Sequence, residues 1–293
     1  MSDQIQTYGG QAVIEGVMMR GARAVAIAMR APDQKIVIHT EELGNIYKSK
    51  IIKIPFLRGL VLLWDALGLG TRALTTSANT QTGEDEQLEG PALYLTIGLS
   101  LVIAIGLFFL APAAIGQLLQ NYLGWNAWWS NLGEGVVRLI LLVGYIWTIG
   151  FLPDIRRVFA YHGAEHKTIN AYEAGAELTP ESVSKYSVEH PRCGTSFLLT
   201  LVLLSIVIFS TFWPLSLAVR LITRVLFIPI LAGIAYEYIR WTANHMDSGF
   251  VKALIRPNMA LQHLTTREPS HDILEVGIAA FNAMMKAENK VIV

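Results

Sequence analysis

The pattern of apolar and polar positions divides the chain into uncharged stretches separated by polar segments. No charged residue occurs within residues 91–122, and a helix needs roughly 20 residues to cross a hydrocarbon core of about 30 Å. Four stretches are therefore predicted to be transmembrane helices: 92–119, 136–152, 196–212 and 215–241. This pattern excludes an ordinary cytosolic enzyme.

A few charged side chains interrupt these stretches near their ends. Arg138 lies near the start of the second stretch, and Arg220 and Arg224 lie early in the fourth. Because long basic side chains can reach from a helix end to the interface, we expect these arginines to snorkel. A weaker apolar stretch, 54–69, is broken by glycines and charges and is predicted to be an amphipathic or half-inserted interfacial helix. A helix buried against the other spans explains it equally well.

The polar segments predict elements of their own. Residues 24–30 and 35–42 are β-rich runs around Ala31-Pro-Asp-Gln34, which predicts a β-hairpin. Residues 75–90 are polar and acidic, which is typical of a flexible linker. At the other end, Ser270 is the predicted N-cap of a final helix with one apolar stripe, Ile273, Leu274, Ile278, Phe281 and Met285.

The predicted fold is thus a mainly α membrane protein with about four transmembrane helices, an interfacial helix, a small cytoplasmic β-hairpin region and cytoplasmic C-terminal helices. Its predicted order is an N-terminal region (1–50), an amphipathic or half-inserted helix (51–76), an acidic linker (77–91), a helix pair (92–153), a cytoplasmic motif loop (154–195), a second helix pair (196–243) and a C-terminal helical region (244–293).

Composition and charge refine this topology. The chain is 53% hydrophobic and 16% charged, and its net charge of zero argues against a nucleic-acid partner. Cys193 is the single cysteine, so a disulfide scaffold is excluded. Residues 121–135 contain no lysine or arginine, whereas 154–195 contain five, which predicts that the latter segment and both termini are cytoplasmic.

The strongest chemical signal is His162-Gly-Ala-Glu165-His166, just after the second predicted span. Positions four apart share a helix face, so both imidazoles can reach one metal ion, and Glu165 can approach a bound water. The same H-x-x-E-H order occurs in inverzincin peptidases, where the glutamate is the general base. A surface helix whose charged residues pair with one another is the competing interpretation.

A third ligand has several candidates. Glu173 lies two turns after His166, and His190 and Cys193 come just before the third predicted span, at the same predicted membrane face. Glu237, at the end of the fourth span, is a distant carboxylate candidate, although a salt bridge with a nearby arginine explains it at least as well. The expected cofactor is a divalent metal, with zinc favoured by the ligand types.

Five separated motifs together resemble a known family. They are residues 8–21 (YGGQAVIEGVMMRG), 55–59 (PFLRG), 161–167 (YHGAEHK), 190–197 (HPRCGTSF) and 264–269 (LTTREP). The chain resembles the bacterial YqhQ family of multi-pass membrane proteins, a domain of unknown function described as a predicted metal-dependent enzyme. The resemblance covers nearly the whole chain and implies a bacterial inner-membrane location.

Two functions follow as hypotheses. The first is a membrane-embedded metal-dependent hydrolase with its site at the cytoplasmic face. The second is a non-catalytic scaffold or assembly factor in which the polar motifs form a hydrogen-bonded cap on the span ends, and a transporter component ranks lower. The expected partners are the lipid bilayer and either another membrane protein or a second copy of the chain.

Overall fold

A computed structural model describes residues 8–44, 54–82 and 90–290, and this part of the chain is mainly helical with one small sheet. The four strands are β1 (Gly9–Val13), β2 (Gly16–Arg20), β3 (Ala24–Arg30) and β4 (Ile36–Glu42). They form an antiparallel sheet in the order β1-β2-β3-β4. The predicted hairpin is confirmed as β3 and β4, which pair from Ala24↔Glu42 to Arg30↔Ile36.

The glycine-rich N-terminal motif forms the other two strands, which the sequence pattern did not predict. A two-residue turn at Ile14 and Glu15 joins β1 to β2, and Glu15 has a positive φ of 51°. Gly16 faces the carbonyl of Ala28 on β3 so closely that a Cβ would overlap it. The glycines therefore permit a tight hairpin and close strand packing.

Both faces of the sheet are covered by other parts of the protein. Side chains alternate along each strand, so successive residues pack on opposite faces. Val17 and Met19 of β2 pack on one face in a core that includes Leu274 and Phe281 of the C-terminal helix. Met18 of β2 faces the other side, in a cluster with Val25, Ile27, Leu69 and Ala73. The sheet thus lies between the first and last helices of the described residues.

The helices, in chain order, are α1 (Leu57–Gln81), α2 (Gly90–Ile105), α3 (Ala111–Leu123), α4 (Ala127–Ile149), α5 (Pro153–Glu173), α6 (Pro180–Val183), α7 (Gly194–Ser210), α8 (Leu217–Leu226), α9 (Ile228–Ala243), α10 (Gly249–Thr265) and α11 (His271–Lys290). A short π-helical segment, Gly106–Leu110, joins α2 to α3.

Among the described residues, two helices are long and apolar enough to cross a membrane, Gly90–Leu123 and Ala127–Ile149. The bent pair α8 and α9, with an angle of 42°, makes a third if it is one span, and α7 is a shorter apolar helix of 17 residues. All four predicted stretches are therefore helical. The fourth is broken at Phe227, two residues before Pro229, because proline cannot donate the backbone hydrogen bond that continues a helix.

Two predicted boundaries need correction. Helix α1 extends through Gln81 and α2 begins at Gly90, so residues 77–81 and 90–91 of the predicted linker are helical, while 83–89 lie outside the described residues. Packing explains this extension, since Ser77 accepts a hydrogen bond from Ile14 N and Gln81 donates to the carbonyl of Arg30. The predicted motif loop 154–195 is largely helical, because α5 and α6 lie within it.

The expected snorkelling of three arginines is wrong. Arg138, Arg220 and Arg224 are each at most 1% exposed, and they bind partners on neighbouring helices. Glu134, which is equally buried, accepts hydrogen bonds from Arg138 and Arg224. Contacts within the protein, ionic for Arg138 and Arg224 and neutral for Arg220, thus enclose the three guanidinium groups.

Candidate metal centre

Helix α5 carries the His-Glu motif and is well defined at both ends. Pro153 occupies its first turn together with Asp154, whose carboxylate suits the positive end of the helix dipole. At its C-terminus Gly175 has a φ of 71°, and the amide of Ala176 donates to the carbonyl of Ala171. This is a Schellman ending, which requires a left-handed residue where the helix stops.

Both imidazoles of the motif place Nδ1 against a backbone carbonyl oxygen. His162 Nδ1 lies 2.9 Å from the carbonyl oxygen of Thr265, and His166 Nδ1 lies 2.6 Å from that of Val188. A carbonyl oxygen can only accept, so each Nδ1 carries the proton and each Nε2 presents a lone pair. A backbone carbonyl on the far nitrogen is the usual support of a metal-binding histidine.

Cys193 brings a thiol to the same place. It is the N-cap residue of α7, and its Sγ lies 3.2 Å from His162 Nε2. Thr195 holds the sulfur from the other side, with its Oγ1 at 3.1 Å and its amide N at 3.4 Å. The thiol is buried among polar neighbours between α5 and α7.

The three side chains form a group whose ligand atoms all lie within 4.8 Å of one another. For tetrahedral zinc, bond lengths of about 2.0 to 2.3 Å place neighbouring ligand atoms roughly 3.3 to 3.6 Å apart. Within the described part of the chain, His166 Nε2 is buried without a hydrogen-bond partner. A buried lone pair without a donor is costly, so this atom fits a metal ligand better than a structural imidazole.

Residues outside the predicted site hold these ligands in position. Lys167 Nζ is buried and donates to the carbonyls of Ser184 and Tyr186, both at 2.7 Å. Asn170 donates to the carbonyls of Ser187 and Glu189 and so fixes the segment that offers Val188 O to His166. Sequence reasoning missed both side chains, although Lys167 directly follows the motif.

Gln262 of α10 has a similar role beside Cys193. Its amide nitrogen donates to His190 O and Ser196 Oγ at 2.9 Å, and its amide oxygen accepts from His190 N at 2.9 Å. Gln262 is fully buried. Gln262 therefore connects α10 to the segment that contains Cys193. At the C-terminal end of the same helix, the carbonyl of Thr265 contacts His162.

Glu165 lies on a different side of α5 from His166. Its carboxyl packs against Gly10 of β1, whose backbone N–H hydrogen-bonds it. Burial raises the pKa of Glu165 to about 7, although its interaction with His162 and the Gly10 hydrogen bond act in the opposite direction. The carboxyl group is thus enclosed between α5 and the sheet.

The remaining predicted ligands lie elsewhere or bind other partners. Glu173 pairs with Arg192, and its Oε2 lies 3.7 Å from His190 Nε2. Burial alone would raise the pKa of Glu173, but His190 and Arg192 hold it below its usual range. Burial also lowers the pKa of His190, and the cationic Arg192 adds to this effect.

Glu237 is not among the converging ligand atoms. Its carboxylate binds the guanidinium of Arg58 and accepts a hydrogen bond of 3.0 Å from Phe56 N. The salt-bridge interpretation of Glu237 is therefore the one that the geometry favours. This contact attaches the 55–59 motif to α9. Gly59 of the motif leaves room for Tyr236 of α9, and Gly233 of α9 leaves room for Phe56.

Four of the five sequence motifs meet around α5. The 190–197 motif supplies Cys193, the 264–269 motif supplies Thr265 O, and Gly10 of the first motif contacts Glu165. The fold and this site define a class of mainly helical proteins with membrane-length helices, a small antiparallel sheet and a His-His-Cys cluster at the end of the helices.

The chain belongs to the family described as "Protein of unknown function (DUF1385)", whose model matches residues 54–287. It is 36% identical to a Bacillus subtilis (strain 168) protein named "Uncharacterized protein YqhQ", over 96% of this chain and 93% of that protein. No solved structure matches the chain.

Proposed function

We propose that this chain is an integral membrane protein of the bacterial inner membrane that binds zinc through His162, His166 and Cys193 at its cytoplasmic face and uses it for hydrolysis. The observation that carries the proposal is the buried Nε2 of His166, which has no hydrogen-bond partner among the described residues and lies beside His162 and Cys193. The ligand set is one of the borderline-soft N and S sets that zinc prefers.

The membrane part of the proposal is supported by exposed apolar surface. No residue of α2 is buried, and Leu95 and Val102 are 73% and 67% exposed. Aromatic residues such as Tyr122 and Trp129 are exposed near the turn between α3 and α4. Such residues are typical of the membrane interface, and the lack of basic residues in this turn favours the external side.

Three protein ligands leave one tetrahedral position open, as catalytic zinc sites do. A metal held there would supply a water of lowered pKa for attack on a polar bond. His162 and His166 would contribute neutral Nε2 atoms, and Cys193 would contribute its thiolate. The order of the motif assigns the proton-accepting role to Glu165. Its carboxyl packs against Gly10 of β1, so this role requires the side chain to turn toward the metal.

The test is metal analysis of the full-length protein purified in detergent. We expect about one zinc per chain in the wild type, and loss of most of it in His166→Ala, with a normal elution profile in both. His39→Ala is the matched control, because His39 is exposed on β4. A wild type that holds no transition metal and takes up none on titration with zinc or manganese would overturn the proposal.

A non-catalytic scaffold remains the second candidate, because many polar residues of the motifs satisfy one another. Lys167 pairs with Glu268 at 2.6 Å, Glu173 pairs with Arg192, and Gln262 makes three bonds within its surroundings. On this hypothesis Glu165→Gln should preserve metal content, stability and cellular function. The hydrolase hypothesis predicts that this variant keeps its metal and its stability but loses cellular function.

A further inference from the structure

A second polar site lies inside the apolar helices, away from the candidate metal centre. We name it the arginine cluster and define it as Arg138 and Glu134 of α4 together with Arg220 and Arg224 of α8. Each of these side chains is at most 1% exposed. Phe209, near the C-terminus of α7, stacks on Arg224 at 4.0 Å, whereas Cys193 precedes the N-terminus of α7. The length of α7, about 25 Å, therefore separates the two sites.

The neighbouring helices satisfy part of the cluster. Arg138 donates to Phe108 O of the π-helical segment and to Ser205 Oγ of α7, at 2.9 and 2.7 Å. Arg220 donates to Ser130 Oγ and Asn131 Oδ1, at 3.1 and 3.2 Å. These partners are neutral, so they orient the guanidinium groups but do not balance their charge.

Charge balance is incomplete within the described residues. Glu134 is the one carboxylate that pairs with these arginines, and both of its oxygens are used, at 2.7 to 2.8 Å. Three guanidinium groups and one carboxylate leave a formal charge of +2. A guanidinium cannot lose its proton in a protein, so neutralisation by deprotonation is not available. Buried charge is costly unless it is paired.

Two guanidinium nitrogens show where a counter-ion would bind. Within the described part of the chain, Nε of Arg220 and one terminal nitrogen, NH1, of Arg224 are buried without a hydrogen-bond acceptor. The two residues are four apart on one face of α8, so their side chains are neighbours. Arg220 is nearer the N-terminus of α8 and contacts Gln120, which is only partly buried near the C-terminus of α3.

We propose that Arg220 and Arg224 bind a small inorganic monoanion of the halide class, which enters past Gln120 and balances part of the excess charge. Two buried N–H groups without acceptors, on side chains that are neighbours on α8, suit a small, weakly hydrated anion. Phe209 and Phe212 pack over Arg224 and restrict the space for a larger ligand. This site does not depend on the proposed metal centre.

The experiment measures thermal unfolding of the full-length protein in a zwitterionic detergent as chloride replaces gluconate at constant ionic strength. We expect the melting temperature to rise saturably with chloride, and the apparent affinity to fall at least tenfold in Arg220→Gln. Arg256→Gln, which changes an exposed arginine of α10, is the matched control and should keep the wild-type affinity.

A direct measurement covers the case in which Arg220→Gln does not fold. Chloride NMR line broadening by the folded wild type should be saturable, should be displaced by bromide and should persist in Arg256→Gln. Equal stability in chloride and gluconate would overturn the proposal, as would broadening that disappears when ionic strength is raised with gluconate. Competition by phosphatidylglycerol but not by bromide would assign the site to a lipid phosphate and would also overturn it.

Discussion

Replacement of Glu134 by glutamine should destabilise the protein strongly, because it removes the negative charge from the arginine cluster without changing side-chain volume. Glu134 accepts three hydrogen bonds from Arg138 and Arg224, and all three side chains are at most 1% exposed. Breaking a buried ion pair by removing one partner costs about 3–5 kcal/mol. We expect a loss of this size in the free energy of unfolding.

The matched control is Glu237→Gln, which removes a carboxylate from the ion pair with Arg58. Those two side chains are 29% and 14% exposed, so solvent screens the pair and the expected loss is about 1 kcal/mol or less. The assay is reversible unfolding in mixed detergent micelles, in gluconate, so that chloride does not compensate. Equal losses in the two variants, or a loss below about 1 kcal/mol in Glu134→Gln, would refute the reasoning about buried charge.

Two further substitutions test how the candidate metal centre is held together. Gly163→Ala should lower the free energy of unfolding by about 1–3 kcal/mol, because its Cβ would overlap the carbonyl oxygen of Arg267. The control in thermal melts is Gly144→Ala, whose Cβ meets open space among the described residues and should be nearly neutral. Gln262→Leu should lower the free energy of unfolding by about 1–3 kcal/mol, because it leaves both backbone groups of His190 unpaired; a change below about 0.5 kcal/mol would show that water replaces these bonds.

Local sequence patterns predicted the apolar helices, one hairpin and the pairing of two histidines. The uncharged stretches predicted the apolar helices, and the β-rich runs predicted the β3–β4 hairpin. Spacing also placed His162 and His166 on one face of a helix, where their rings lie 4.4 Å apart. Each of these features depends on residues that are close together in the chain.

Long-range contacts explain what the sequence could not decide. Four residues were candidates for the third ligand, and only the packing of the segment before α7 against α5 places Cys193 beside the two histidines. The partner of Glu237 is Arg58, which lies 179 positions away. The strands β1 and β2 form where a glycine-rich motif is covered by α5 and α11. The motif lacks the alternation of apolar and polar residues that would have predicted strands.

Cobalt substitution tests the central claim most directly, because it reports the metal and its sulfur ligand in one spectrum. The wild-type protein, stripped of metal and loaded with Co²⁺, should show the visible bands of a tetrahedral site and a thiolate-to-cobalt charge-transfer band. Cys193→Ser should lose the charge-transfer band and bind the ion more weakly, while His39→Ala should match the wild type. An octahedral spectrum, or a charge-transfer band that survives in Cys193→Ser, would contradict a centre formed by His162, His166 and Cys193.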